Sequence, residues 1–294
     1  MERRSGYDYG GQAVIEGVMI RGPEGIAVAV RRPDGSISVR RRPYRPLTRA
    51  HRLLGLPLVR GAVALYEALV LGIDALLFSA NEVAAAEDEK LGRGEMVGTL
   101  LLSVALVVAL FIVLPTWLVS LLDPLGLGPS VHNLIEGLLR LLILLAYVAS
   151  IARMNDIRRV LEYHGAEHKV IHALEQGDQL TVAAVRPYPI LHPRCGTSFL
   201  LLVALISVVL FSFFGWPGFW QRILVRLALL PVVAGVAYEF LRASGRSRSP
   251  LWRPVIAPGL WLQRFTTREP DDQQIEVAIR ALEAVLAESG EVPA

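Results

Sequence analysis

The stretch VGTLLLSVALVVALFIVLPTWLVSLL, residues 97–122, decides the class of this protein, because these 26 consecutive residues carry no charge. About 20 apolar residues are enough for a helix to cross the hydrocarbon core of a bilayer. Further apolar runs of spanning length cover residues 133–151, 197–216 and 223–240. The sequence therefore predicts a mainly α, polytopic membrane protein with about four transmembrane helices.

The composition agrees with a membrane protein. Hydrophobic residues make up 53% of the 294 residues and charged residues 19%, whereas an average soluble domain has about 25% charged residues. These values exclude a disordered chain. Cys195 is the single cysteine, so an intrachain disulfide is excluded as well. The net charge of +3 comes without a nucleic-acid motif or interleaved aromatic residues, and we expect no specific nucleic-acid binding.

The arginines predict the orientation. They are concentrated before residue 60, between residues 152 and 196, and after residue 241, whereas loops 123–132 and 215–222 carry almost none. Basic segments stay on the cytoplasmic side of a membrane. We therefore expect a multi-pass protein of the inner (cytoplasmic) membrane with both termini in the cytoplasm and a lipid bilayer as its surroundings.

Residues 51–95 contain a largely apolar run that regularly spaced polar residues interrupt. Four polar residues recur every seven positions and would form one narrow polar stripe on a helix: Arg60, Glu67, Asp74 and Asn81. We expect an interfacial helix or a re-entrant hairpin through Gly72. A true span with inverted topology is the alternative.

The remaining segments predict the cytoplasmic parts. Residues 1–50 contain two alternating runs around Pro33-Asp34-Gly35, which is typical of a β-hairpin. A membrane domain of four helices follows over 96–241, with a cytoplasmic insert at 152–196. In the tail, 242–294, residues 273–288 have the spacing of an amphipathic helix. We expect it to pack on the protein itself, with docking of a protein partner as the alternative.

The insert carries the residues suited to chemistry. His164, His168 and His172 are four residues apart and share one face of a helix, and Glu167 lies beside them. Two imidazoles one turn apart can bind one metal ion, and a neighbouring carboxylate can activate water. The spacing His-x-x-Glu-His is that of inverted zinc peptidases.

Cys195 follows His192 and precedes the third apolar run. A helix N-terminus stabilises a thiolate, so Cys195 is a candidate ligand. We predict a divalent metal site, with Zn²⁺ preferred, and Glu167 as the catalytic base; the metal ligands are His164, His168, His192 and Cys195, with His172 and Glu239 as further candidates. Each of these residues also has a plain structural interpretation, as a packed or paired side chain.

Five pieces resemble a bacterial family, the YqhQ-like integral membrane proteins, a domain of unknown function described as predicted metal-dependent enzymes. The pieces are GGQAVIEGVMIR (10–21), VRRPDG (30–35), YHGAEHKVIHALE (163–175), HPRCGTSFL (192–200) and PGLWLQRFTTREPDDQQIEVAI (258–279). The resemblance runs from about residue 10 to residue 286. It implies a multi-span inner-membrane protein and a metal site on His164, Glu167, His168, His192 and Cys195, without naming a substrate.

Three functions follow as hypotheses. The first is a metal-dependent membrane enzyme, a hydrolase at the cytoplasmic face with an open coordination position and an unknown substrate. The second is a scaffold or assembly factor in which His164, His168, His192 and Cys195 form a closed structural site. The third and weakest is a transporter, because intramembrane Glu136, Arg140 and Arg226 are few and lie near helix ends.

Overall fold

A computed structural model describes residues 9–84, 93–246 and 249–288. The described chain is mostly helical, with a small antiparallel sheet near the N-terminus. The predicted mainly α class with an N-terminal β element is therefore confirmed.

The sheet has the order β1-β2-β3-β4, formed by β1 (Gly10–Val14), β2 (Gly17–Arg21), β3 (Gly25–Arg31) and β4 (Ile37–Pro43). The predicted hairpin is β3–β4, and Gly35 in its turn has φ +84, a value that favours glycine. A second tight hairpin joins β1 to β2. Its turn residue Glu16 accepts hydrogen bonds from Arg159, Nε to Oε1 at 2.5 Å, which ties the sheet to the helix that carries the histidines.

The helices follow in chain order: α1 (Leu47–Ala50), α2 (Val59–Ala84), α3 (Arg93–Val108), α4 (Leu114–Ser120), α5 (Pro129–Ile151), α6 (Asn155–Gln176), α7 (Val182–Val185), α8 (Gly196–Phe211), α9 (Phe219–Arg246), α10 (Arg253–Thr266) and α11 (Asp272–Glu288). Within the described ranges, five helical segments are long and apolar enough to cross a membrane: Val59–Ala84, Val97–Ser120, Pro129–Ile151, Gly196–Phe214 and Phe219–Ser244. The last four match the predicted spans. These segments indicate a membrane protein.

A wide π-helical turn, Ala109–Val113, joins α3 to α4 immediately before Pro115. Proline lacks an N–H group, so the carbonyl of Phe111, four residues earlier, loses its helical donor. Nε of Arg140 donates to that carbonyl oxygen at 2.9 Å. The irregular turn therefore leaves the Phe111 carbonyl oxygen free to accept a hydrogen bond from Arg140.

Helix α2 is continuous through Gly72, so the prediction of a re-entrant hairpin is wrong. A β-carbon at Gly72 would stand 2.6 Å from Oε1 of Gln12 in β1, so the glycine serves close packing and does not break the helix. The predicted polar stripe is paired with the N-terminal segment. Glu67 accepts from the hydroxyl of Tyr44 at 2.9 Å, and Asp74 accepts from Arg40 at 2.6 Å.

The apolar residues Leu71 and Ala75 of α2 are buried against the sheet. The middle of α2 therefore lies beside the sheet, whereas its first turns pack on α9, where a β-carbon at Gly61 would stand 2.7 Å from Cα of Gly235. Helix α2 is long and apolar enough to cross a membrane, so both an interfacial position and a complete crossing stay predictions.

Segments distant in the sequence form one core. Helix α11 packs its apolar face on α6 and on the sheet, as predicted for an amphipathic helix that packs on the protein itself. Val277 and Ala281 are buried, and so are all six apolar residues at helical spacing: Ile275, Ala278, Ile279, Leu282, Val285 and Leu286. This core holds α6 rigidly between the sheet and α11.

Candidate metal site

Helix α6 positions the histidines by burying its opposite face. Tyr163, Ala166 and Val170 of α6 are fully buried in the core shared with the sheet and α11. The helix ends at Gly177, which has φ 77, a left-handed conformation that favours glycine at a helix C-terminus. A β-carbon at Gly165 would stand 2.0 Å from the carbonyl oxygen of Arg268. The chain after α10 therefore crosses directly over the histidine face.

The structure brings His164, His168 and Cys195 together. One donor atom from each lies within 4.8 Å of the donors of the other two. Nε2 of His164 is 3.2 Å from the sulfur of Cys195, and the two imidazole centroids are 4.4 Å apart. Three of the four residues predicted as primary ligands thus converge on one point.

Backbone carbonyls fix the orientation of both imidazoles. Nδ1 of His164 donates to the carbonyl of Thr266 at 2.7 Å, and Nδ1 of His168 donates to that of Ile190 at 2.5 Å. Because a carbonyl only accepts, each ring keeps its hydrogen on Nδ1 and presents a lone pair at Nε2. This is the tautomer that a metal ion requires on that side.

Nε2 of His168 is buried and makes no hydrogen bond of good geometry among the described residues, although Oε2 of Glu167 lies 3.5 Å away. A buried polar atom without a hydrogen bond is costly and calls for an unseen partner such as an ion. Burial also lowers the pKa of His168, which keeps the ring neutral and able to bind a metal. The residues present therefore fit a divalent ion at this position.

Cys195 is the N-cap of α8, as predicted for a cysteine at the start of a span. Its sulfur accepts from the backbone N–H of Thr197 at 3.4 Å. The hydroxyl of Thr197 is also 3.2 Å from this sulfur. The third donor is thus a sulfur held in place by the first turn of α8.

Glu167 lies beside this group. Glu167 is 5% exposed, and its Oε2 is 3.5 Å from Nε2 of His168. Burial raises the pKa of Glu167, while His164, His192 and the N–H of Gly11 act in the opposite direction. The carboxylate therefore lies beside His168 but outside the set of mutually adjacent donors.

His192 lies in a neighbouring group with His172 and Glu175. Its Nε2 is 3.1 Å from Oε1 of Glu175, and its Nδ1 accepts from the N–H of Arg194 at 3.3 Å. Both nitrogens of His192 are therefore engaged, although its ring centroid is only 5.6 Å from that of His168. His192 and Cys195 are predicted in one ligand set, whereas their donor atoms fall in two separate groups among the described residues.

Glu175 was not predicted from the sequence, although a signal was present. His172 and Glu175 repeat, eight residues later, the His-x-x-Glu spacing of His164 and Glu167. Within each pair, the histidine and the glutamate lie about one helical turn apart on α6. Glu239, a further candidate ligand, pairs with Arg60 on α2 and stands in neither of the two groups found among the described residues.

Gln263 of α10 is a second residue that sequence reasoning missed. Its Oε1 accepts from the N–H of His192 at 2.8 Å, and its Nε2 donates to the carbonyl of His192 at 2.8 Å. It also contacts the hydroxyl of Ser198. Gln263 is 0% exposed, so it clamps the loop that leads into Cys195 from inside the protein.

Residues 56–288 match the family described as "Protein of unknown function (DUF1385)". The chain belongs to this DUF1385 family. It is 36% identical over 292 residues to "Uncharacterized protein YqhQ" of Bacillus subtilis (strain 168), an alignment that covers 95% of this chain and 92% of the relative. The resemblance to YqhQ-like proteins is therefore confirmed. No solved structure matches the chain.

The part of this DUF1385 protein that matches the family includes both histidine groups, Cys195 and Gln263. Chemically, two imidazoles and a cysteine sulfur form a donor set of the kind that binds zinc. A buried carboxylate beside it can accept a proton. The arrangement therefore has the parts of a metal site and of an acid–base site.

Proposed function

We propose that this DUF1385 protein is a metal-dependent membrane enzyme, a hydrolase in which His164, His168 and Cys195 bind one divalent ion and Glu167 is the general base. The observation that carries the proposal is the buried Nε2 of His168, which makes no hydrogen bond of good geometry among the described residues. It faces the Nε2 of His164 and the sulfur of Cys195. A metal ion would satisfy all three donors at once.

The donor set favours Zn²⁺. Imidazole and thiolate suit zinc, and zinc prefers four ligands. Three protein ligands leave one position for water or substrate, which is the pattern of catalytic sites. When bound, such an ion lowers the pKa of a water ligand and polarises a substrate carbonyl.

Glu167 supplies the acid–base step in this proposal. Burial raises its pKa above that of an exposed glutamate, and a general base works best when its pKa approaches the working pH. Its carboxylate would accept a proton from the attacking water and deliver it to the leaving group. The Nδ1 hydrogen bonds of His164 and His168 hold the two rings still during this transfer.

The alternative, a closed structural site in a scaffold or assembly factor, needs His192 as the fourth ligand. Hydrogen bonds to Glu175 and from the N–H of Arg194 engage both nitrogens of His192. The geometry therefore favours an open position over a closed site.

We also propose that the site faces the cytoplasm from the inner membrane. The sheet carries Arg40 and Arg42, and it packs on the same α6 that carries the histidines. Basic segments remain on the cytoplasmic side. Both termini would then be cytoplasmic, and the unknown substrate would reach the site at the membrane surface.

Metal content per chain tests the proposal. Protein purified without oxygen in detergent should contain about one zinc ion per chain. His168→Ala and Cys195→Ala should lose the ion, whereas Glu167→Gln should keep it. His51→Ala is the matched control, because His51 is exposed at the start of the short helical turn after α1. Absence of metal above background in the wild type would overturn the proposal.

Cobalt substitution tests the open position. The visible spectrum of the Co²⁺-loaded protein should change when acetohydroxamate is added, because an exchangeable position accepts a chelating anion. An unchanged spectrum in a fully loaded protein would show a closed site. That result would exclude the metal-dependent enzyme and favour the scaffold with a closed structural site.

A further inference from the structure

A cleft of about 460 Å³ opens at the end of the membrane helices opposite Cys195. Six of its lining residues matter here: Trp117, Asp123, Trp216, Gly218, Phe219 and Arg222. The 19-residue segment Gly196–Phe214 separates it from the metal-site cysteine, which at 1.5 Å per residue is roughly 28 Å. The cleft is therefore independent of the proposed metal chemistry.

Arg222 is the unusual residue of this cleft. It is only 2% exposed, and its guanidinium stacks on Trp216 with Cζ 4.0 Å from the ring centroid. Nε and Nη1 have no hydrogen-bond partner among the described residues. Nη2 is 3.8 Å from a carboxylate oxygen of Asp123, which is longer than a hydrogen bond. A buried guanidinium with unused donors calls for an acceptor.

The charge balance at this end of the helices points the same way. Three guanidiniums lie among the described residues here: Arg140, Arg222 and Arg226. They face two carboxylates, and one of these, Glu136, is already shared by Arg140 and Arg226. The other, Asp123, accepts the indole N–H of Trp216 at 2.7 Å. Three guanidiniums against two carboxylates leave one positive charge in excess over this cluster, and burying it is costly unless an anion pairs with it.

The start of α9 adds to this field. Gly218 and Phe219 line the cleft, and the 28-residue helix begins at Phe219. The first turn of a helix presents backbone N–H groups and the positive end of its dipole. Together with Arg222, it makes the cleft a receptor for an anion.

The surroundings indicate what kind of anion enters. Trp117 and Trp220 are among the exposed aromatic side chains at this end of the protein. Tryptophan collects at the depth of lipid headgroups. We propose that the cleft binds a phosphate group, carried by an anionic lipid headgroup or by a soluble phosphate ester, with Arg222 as its charged ligand.

Titrations of the full-length, delipidated protein in an uncharged detergent test this inference. The probes are inorganic phosphate and dihexanoyl phosphatidylglycerol, and the signal is tryptophan fluorescence, since Trp216 stacks on Arg222. Arg222→Gln removes the charged donors. Gly218→Leu leaves every charge in place. A β-carbon at Gly218 meets no atom within 4 Å, so the leucine side chain has room to occupy the cleft that Gly218 lines. Arg280→Gln, on exposed Arg280 of α11, is the control.

The wild type should bind at least one probe saturably, and both cleft variants should bind it about tenfold or more weakly, because charge-assisted hydrogen bonds are strong. Saturation by phosphatidylglycerol alone would assign a lipid headgroup, and saturation by inorganic phosphate would assign a soluble ester. The inference is overturned if neither probe saturates, or if a folded cleft variant keeps the wild-type affinity. Gly218→Leu decides the question if Arg222→Gln does not fold.

Discussion

Gly11 of the N-terminal hairpin lies directly against Glu167 of α6. A β-carbon at Gly11 would stand 2.7 Å from Cγ of Glu167 and 2.6 Å from the carbonyl oxygen of Met19. The N–H of Gly11 is close enough to the Glu167 carboxylate to act against the rise in its pKa that burial causes. The hairpin therefore covers the proposed general base, and only a residue without a side chain leaves room for it.

We expect Gly11→Ala to destabilise the protein by about 1–3 kcal/mol, the usual cost of overpacking a filled site. The added methyl group must displace either the Glu167 side chain or the β1–β2 pairing. The thermal unfolding midpoint in detergent measures this loss. Gly10→Ala is the control, because a β-carbon there meets no atom within 4 Å. Equal midpoints for the two variants would contradict the packing seen at Gly11.

The contact between Gly11 and Glu167 could not be predicted from the sequence. Spacing along one helix places His164 and His168 on one face, because helical periodicity is fixed by the backbone. Their meeting with Cys195 follows from the expected start of a span. The position of a separate hairpin over Glu167 depends on packing between distant segments, which no local pattern reports.

The same distinction explains the two corrections. The spacing of residues 164–172 placed His164 and His168 on one helix face, as the structure has them, but His192 lies in a loop, and Glu175 and Gln263 decide where its ring points. For α2, Gly72 indicated a break in the helix. Its actual role is close contact with Gln12, which is a tertiary effect. Local sequence patterns thus predicted the helices, whereas contacts between distant segments decided how His192 and Gly72 are used.

His192→Ala should leave about one metal ion per chain when metal is saturating, because His164, His168 and Cys195 supply the donors. Affinity should fall by about 10- to 100-fold, the usual effect of losing an outer partner of a metal site. Metal analysis at saturation and a competition titration measure the two quantities. Complete loss of the ion, as expected for His168→Ala, would make His192 a ligand and support the closed site.

Gln263→Ala should lower stability by about 2–3 kcal/mol, because it leaves the buried N–H and C=O of His192 without partners. The loop before Cys195 should loosen, so metal should dissociate faster. The unfolding midpoint and the rate of zinc transfer to a chelator measure both effects. Gln273→Ala is the control, since Gln273 is exposed on α11 and should change stability by less than about 0.5 kcal/mol. A transfer rate equal to that of the control would show that Gln263 does not hold the site.

Glu136→Gln should destabilise the membrane helices strongly. Glu136 is buried on α5 and forms ion pairs with Arg140, at 2.6 Å, and with Arg226 of α9. Removing its charge leaves two buried guanidiniums without a counter-ion, a change that costs about 3–5 kcal/mol in protein interiors. The unfolding midpoint in detergent measures the loss.

Glu283→Gln is the matched control for this change, because Glu283 forms an exposed pair with Arg280 on α11 and should contribute at most about 1 kcal/mol. If both variants unfold at the same temperature, the Glu136 cluster does not hold α5 and α9 together. Conducting or exchanging ions would then become the better explanation for charges at this depth. A large loss in Glu136→Gln alone assigns the cluster to structure, and this leaves Arg222, with its unused donors, as the charge that acts on a ligand.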